Sequence, residues 1–167
     1  MGIRRIRTDI KMKACIFSDS HGFAGNMIKA VNLEKPDAVF FLGDGERDIA
    51  VLAEQFPDLM IWAVRGNCDF RSTLDSADCR TFDGVTVFAT HGHLSDVKYD
   101  PRLEMLTSQA VEAGADIALF GHTHRQHISE SPGVTLLNPG ECGRGWYPGY
   151  AVLILDNGRF SAELKTI

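Results

Sequence analysis

Residues 15–22, Cys-Ile-Phe-Ser-Asp-Ser-His-Gly, decide the fold. The apolar run 14–17 is too short for a core helix and stops at a polar cluster carrying Asp19 and His21. The same pattern recurs four times downstream. VFFL runs into GDG at Asp44, WAV into RGNCD at Asn67, VFA into THGH at His91, and ALF into GHTH at His122 and His124. The runs 14–17, 38–42, 60–64, 85–89 and 117–120 therefore predict strands that are apolar on both faces. Ligand sites in open α/β sheets form beyond the carboxyl ends of parallel strands. The loops leaving these five strands are thus expected to gather Asp19, His21, Asp44, Asn67, His91, His122 and His124, with neighbouring glycines allowing tight turns.

Helical periodicity fills the gaps. Phe23, Met27, Ile28 and Val31 share one face, and Ile49, Leu52, Ala53 and Phe56 share another. A third helix is expected to begin at Pro101, bury Leu103, Leu106 and Ala110, and stop before Gly114. This alternation implies a largely parallel sheet with right-handed crossovers. From residue 126 the pattern turns to strands, at 127–130, 134–137, 150–155 and 159–165. Asn157-Gly158 between the last two marks a hairpin, because both residues accept positive φ. These strands predict a second sheet packed on the first with helices outside, an α/β sandwich.

No linker or repeat divides the 167 residues, so one domain is expected over 13–167, with 1–12 as a basic leader or an upstream extension of a start at Met12. A formal charge of -5 argues against a general nucleic-acid binder, which carries a basic stripe. Cys15, Cys68, Cys79 and Cys142 form no Cys-x-x-Cys pair, which sets aside a zinc ribbon or thioredoxin-type motif and suits a reduced, cytoplasmic setting. No run is apolar enough to span a bilayer, so no membrane role is expected.

Carboxylate, imidazole and amide donors without thiolate favour borderline-to-hard divalent ions. Two carboxylates and four histidines exceed the needs of one site, so two ions sharing a carboxylate is the economical reading. Such a pair, about 3.5–4 Å apart, polarises a phosphoryl oxygen, generates hydroxide and stabilises the leaving oxygen. The series Asp-x-His, Gly-Asp, Gly-Asn, His-Gly-His and Gly-His-Thr-His closely resembles the calcineurin-like metallophosphoesterases, and most nearly their compact prokaryotic, YfcE-like phosphodiesterases. The likeness runs from Ala14 through Asn138-Pro139-Gly140 to the last strands.

The resemblance implies a four-layer αββα sandwich of two mixed sheets flanked by helices. It implies that Asp19, His21 and His124 ligate one ion, Asn67, His91 and His122 the other, and that Asp44 bridges them. A bridging hydroxide would attack phosphorus in line on a small phosphodiester, with monoesters as further candidates. Mn²⁺ heads the metals such donors suit, ahead of Fe, Ni²⁺, Co²⁺ and Zn²⁺. One position departs from the larger relatives, which follow Gly-Asn with a histidine that protonates the leaving group; here Cys68 stands there. A thiol is a poorer acid near neutrality, so esters with good leaving groups are expected, with Cys68, His93 or Asp69 as candidate participants.

Simpler readings stand beside these. Asn67 can stabilise its own turn, and His93 can be a surface or outer histidine. Asp69 reads as structural, hydrogen-bonding a ligand histidine, and His127 falls inside a strand. Arg47, Arg65 and Arg144 are candidate phosphate contacts, and Trp146 and Tyr147 a candidate aromatic rim or homo-oligomer contact. Two other functions stay open: a scaffold, as in the vacuolar protein-sorting subunit of this fold, and a small nuclease. Against the first, this chain keeps the full histidine set; against the second, it lacks a basic stripe, leaving nucleic acid only as a small nucleotide substrate.

Overall fold

The computed structural model describes residues 11–167, so the first ten residues of the expected leader lie outside it. Ten strands and three helices follow in the order β1 (Met12–Phe17), α1 (Gly25–Glu34), β2 (Ala38–Phe41), α2 (Glu46–Gln55), β3 (Met60–Ala63), β4 (Ala77–Phe82), β5 (Val85–Thr90), α3 (Glu104–Glu112), β6 (Ile117–Leu119), β7 (Gln126–Ser131), β8 (Val134–Pro139), β9 (Gly149–Asp156) and β10 (Arg159–Thr166). They form two mixed five-stranded sheets, ordered β10-β9-β1-β2-β3 and β4-β5-β6-β8-β7. In the first sheet β1, β2 and β3 run parallel and β9 and β10 join antiparallel on the β1 side; in the second β5, β6 and β8 run parallel with antiparallel β4 and β7 at the two edges.

Alternation along the strands builds the layers. Ala14, Ile16, Phe40 and Leu42 face Val85, Val87, Ile117 and Leu119 across the space between the sheets. The intervening residues Cys15, Phe17, Val39 and Phe41 face the other way, onto Met27, Ala30 and Val31 of α1 and Leu52 of α2. On the far side, Phe88, Ala118 and Leu136 pack on Leu106 and Ala110 of α3. Every residue of β2 is buried, as expected for a strand covered on both faces. The result is the four-layer αββα sandwich.

Several expectations change. The C-terminal strands do not stay together: β7 and β8 complete the second sheet, while β9 and β10 return to the first beside β1. The sheets are therefore mixed, as the family resemblance implies, where strand–helix alternation alone pointed to a largely parallel sheet. Strand β3 is an edge, with Met60 exposed, not a strand buried on both faces. Strand β4 was not anticipated, because its alternating, mostly exposed residues carry no apolar run. Its hairpin turn at Asp83-Gly84 has positive φ at both residues, like the expected Asn157-Gly158. The two turns join the sheets at the end remote from Asp19: Asn157 N–H donates to Asp83 Oδ2 (2.6 Å) and Gly158 N–H to its carbonyl (2.7 Å).

Helix α3 starts at Glu104, not Pro101. Leu103 adopts a left-handed conformation (φ 54°), and the Asp100 carboxylate accepts from Glu104 N–H (2.6 Å). Pro101 occupies the turn before the helix rather than its first turn.

Candidate metal centre

The five strand-end loops meet at one end of the sandwich. Asp19 Oδ1 lies 3.1 Å from His124 Nε2, 3.5 Å from His21 Nε2 and 3.8 Å from His91 Nε2. Asp44 Oδ2 lies 3.3 Å from His91 Nε2 and 3.8 Å from His21 Nε2. His122 Nδ1 is 3.2 Å from His91 Nε2, and His21 Nε2 is 3.3 Å from His124 Nε2. Two groups thus form with metal-ligand spacing, Asp19/His21/His124 and Asp44/His91/His122, and Cys68 joins His21 and Asp44 in a third.

The chemistry of this cluster fits cations. Asp19 Oδ1 is buried and has no hydrogen-bond partner, an arrangement that is costly unless a positive charge faces it. His91 is fully buried and its Nδ1 lies 2.7 Å from the Leu42 carbonyl. Nδ1 must therefore carry the proton, which leaves the Nε2 lone pair pointing at Asp44 and His122. Carboxylate oxygens and imidazole lone pairs converging without donors between them match a cation site better than a hydrogen-bond network.

Local backbone geometry places these side chains. Asp19, His21, Asp44, His122 and His124 all have positive φ, between 45° and 67°. Left-handed conformation is unfavourable for such residues and concentrates at functional sites. Adjacent glycines make room: a Cβ on Gly66 would collide with Asp44 Oδ1, and one on Gly121 with Ser18 Oγ.

Polar braces hold the loops. The Asp69 carboxylate accepts four backbone N–H bonds, from Asp44, Gly45, Glu46 and Gly66, at 2.8–3.0 Å. It caps α2 and anchors the Asp44 loop; it does not bond a ligand histidine as expected. Asp48 accepts from Ser20 Oγ and Gly22 N–H around His21. Asn138 Nδ2 donates to the Gly121 carbonyl (2.9 Å) and Thr123 Oγ1 (3.0 Å), which gives the Asn-Pro-Gly turn its part in the His122–His124 loop. Glu141 Oε2 lies 3.1 Å from His124 Nδ1. Neither Asp48 nor Glu141 was flagged by sequence; an acid early in a helix and one in a glycine-rich stretch look ordinary.

The remaining expected residues sit less deeply. Asn67 is exposed, and its side-chain bond runs from Nδ2 to Cys68 Sγ (3.4 Å). Cys68 N–H donates to Asp44 Oδ1 (2.8 Å). The His93 ring lies 5.5 Å from that of His91 and 6.3 Å from that of His122, with Nδ1 buried and unpartnered. His127 faces Ser129 Oγ (2.7 Å) within β7.

Electrostatics separates the two groups. Burial alone would raise the Asp19 carboxyl, but the His124, His21 and His91 rings and Ser18 hold it far below the usual carboxylate range. Asp44, also raised by burial, is brought down to about 2 by His91 and the Cys68 N–H. Asp19 pushes His21 and His124 above the ordinary histidine value. Burial, then His91 and Lys98, lowers His122 to about 4. Burial and His91 also lower His93, while burial and the Asp44 carboxylate push the Cys68 thiol up.

Residues 12–158 match the calcineurin-like phosphoesterase superfamily domain. The chain is 32% identical to the probable metallophosphoesterase YsnB of Bacillus subtilis, over 87% of this chain and 86% of that protein. It is 29% identical to the phosphodiesterase MJ0936 of Methanocaldococcus jannaschii, over 78% and 84%. Among solved structures, a predicted phosphoesterase of Streptococcus pneumoniae superposes with a TM-score of 0.77 at 30% identity, covering 94% and 90% of the chains. The fold is shared with Vps29 of Entamoeba histolytica (TM-score 0.72, 20% identity, 93% and 99%), a likeness of fold alone.

Proposed function

The chain belongs to the calcineurin-like phosphoesterase superfamily, and from that premise we propose that it is a phosphodiesterase working with two divalent ions. The reading is carried by the convergence of six carboxylate and imidazole side chains, among them Asp19 with its orphaned Oδ1. Asp19, His21 and His124 would hold one ion; His91 and His122, with Asn67, the other. Asp44 would bridge, since its Oδ2 lies between His21 and His91. Mn²⁺ is our first candidate, among the Fe, Ni²⁺, Co²⁺ and Zn²⁺ that such mixed oxygen and nitrogen donors also suit. When bound, such a pair supplies Lewis acidity at a phosphoryl oxygen and a nucleophile at neutral pH.

The protein's own groups then orient and bind. Leu42 and Glu141 aim His91 and His124 through their Nδ1 atoms. His93, its pKa lowered by burial and by His91, stands beside the His91 and His122 rings, where it would line the substrate side of the centre. The raised Cys68 thiol is a weak acid near neutrality, so the departing alcohol draws little help from it. Diesters are preferred because the centre is open, with His21 and His124 both well exposed, and because of the likeness to a phosphodiesterase. No helix among the described residues is long and apolar enough to cross a membrane, and all four cysteines are free, which accords with a cytoplasmic setting.

The test is a screen of the Mn²⁺-loaded protein on bis(p-nitrophenyl) phosphate, p-nitrophenyl phosphate and alkyl diesters, with metal content measured on the same sample. The expected result is two ions per chain, aryl diesters hydrolysed fastest and alkyl diesters poorly. Two bound ions without hydrolysis would refute the reading and favour a scaffold.

A further inference from the structure

A cavity of about 370 Å³ runs from Asp19 and His21 past Phe23 to Arg144. Its size lies within the range of small-ligand sites, about 300–1,000 Å³. The loop 141–145 forms its far wall and folds directly onto the turn that carries Asp19. Cys142 N–H donates to the Ser18 carbonyl (2.9 Å), and Asn26 Nδ2 donates to the carbonyls of Cys142 (3.1 Å) and Gly143 (2.9 Å). A Cβ on Gly143 would come within 2.8 Å of the Ser20 carbonyl oxygen and 3.0 Å of that of Asp19. The backbone presenting Arg144 is therefore pinned against the metal-site turn, although the side chain itself is exposed.

That side chain has its own platform. The guanidinium lies 4.6 Å from the centre of the Phe23 ring, within the cation–π reach of about 6 Å. The ring in turn rests on the start of α1, where a Cβ on Gly25 would lie 2.8 Å from Phe23 Cζ. Arg80 stacks in the same way on Trp62 (5.4 Å) but is paired with Asp78 at 2.8 Å. Arg144 forms no ion pair among the described residues, so the five N–H donors of its fork are left for a ligand. Two acids share the cavity, and both are turned to His124: Asp19 Oδ1 lies 3.1 Å from its Nε2 and Glu141 Oε2 3.1 Å from its Nδ1. A fixed, unpaired guanidinium facing a cation site across one cavity matches an oxyanion lying between the two.

We propose that this cavity is an oxyanion subsite, in which Arg144 donates to a non-bridging oxygen of the phosphoryl group held at the Asp19/His21/His124 side. This makes Arg144 a substrate-binding residue and rests on the phosphodiesterase reading.

Calorimetric titration of the Mn²⁺-loaded protein with inorganic phosphate reads the contact without turnover. Arg144→Ala should weaken phosphate binding about tenfold, the lower end for a hydrogen bond to a charged group. Arg144→Lys should recover part of the loss. Arg80→Ala removes the same charge from a guanidinium stacked outside the cavity and should leave phosphate affinity unchanged. Affinity unmoved by Arg144→Ala, or lowered equally by Arg80→Ala, overturns the proposal. With bis(p-nitrophenyl) phosphate, Arg144→Ala should raise KM about tenfold and leave kcat within about twofold, because the contact is made in ground and transition states alike. A loss confined to kcat would overturn it too. A chain that binds phosphate through Arg144 and hydrolyses no diester keeps the subsite and overturns the diesterase reading. A diesterase whose phosphate affinity ignores Arg144 does the reverse.

Discussion

Acidifying the metal-loaded protein from about pH 7.5 to about pH 5.5 should empty its two halves in order, the Asp19/His21/His124 side first. Histidine ligates only when neutral, so protons compete with the ion. Asp19 raises both His21 and His124, so they take up protons readily. A group titrating at or above the usual value of about 6.5 loses its neutral form at least about tenfold across this interval. Their Nε2 atoms are 3.3 Å apart and resist a second proton, so one is counted. Apparent affinity on this side should then fall about tenfold, or ~1.4 kcal/mol. His122, lowered to about 4, would be only about 3% protonated at pH 5.5 and contributes almost no loss. Without metal the histidine term has the opposite sign. His21 and His124, raised by folding, stabilise the metal-free chain fully below the unfolded histidine value, and that contribution is lost as pH rises through their folded values. Equilibrium dialysis against Mn²⁺ at both pH values measures the order. His122→Ala, left with the Asp19 side, should show the tenfold drop; His124→Ala should lose less of its remaining ion over the same interval. An equal drop in both, or the reverse order, refutes the reasoning.

Three further substitutions probe the same geometry. Asp44→Asn should abolish hydrolysis and lower metal content on both sides; near-normal turnover with two ions bound would sink the bridging assignment. Glu141→Ala should weaken the Asp19-side ion by about tenfold, the lower end of the loss expected when an outer carboxylate is removed from a ligand histidine. Dialysis measures it, and unchanged affinity would show that His124 needs no such partner. Asp69→Ala strands four backbone donors of a half-buried loop, partly rescued by water, and should cost about 3 kcal/mol of stability in urea unfolding. A loss below about 1 kcal/mol would mean that solvent replaces the carboxylate.

The strand-end clusters were legible because an apolar run stopping at a polar cluster is a local signal; three such runs lie in the first sheet and two in the second, and all five end at the same end of the sandwich. The Asn157-Gly158 hairpin was legible for the same reason. What failed was long-range. Periodicity assigns Leu153 and Leu155 to a buried face, yet nothing in it says that β9 pairs with β1, twelve positions into the chain, rather than with β8 beside it. Strand β4 stayed hidden because ADCRTF is a solvated edge whose partner, β5, supplies the apolar side. Asp69 was read as a histidine partner, since outer carboxylates often are; its backbone role depends on the close approach of the Gly43–Asp44 and Gly66 loops.

That approach bears on what the site is made of. Five of the seven expected ligands have positive φ, at roughly 1 kcal/mol or more each. The sum, about 5 kcal/mol, is comparable to the whole stability of many domains. It is tolerated because Asp69, Asp48 and Asn138 bond the strained loops at points where no ion sits. Any ion bound by the clustered donors would further offset the strain without having to create the geometry. The braces therefore belong to the centre as much as the ligands do, and a chain with all seven ligands but without these braces would be expected to hold its metals poorly.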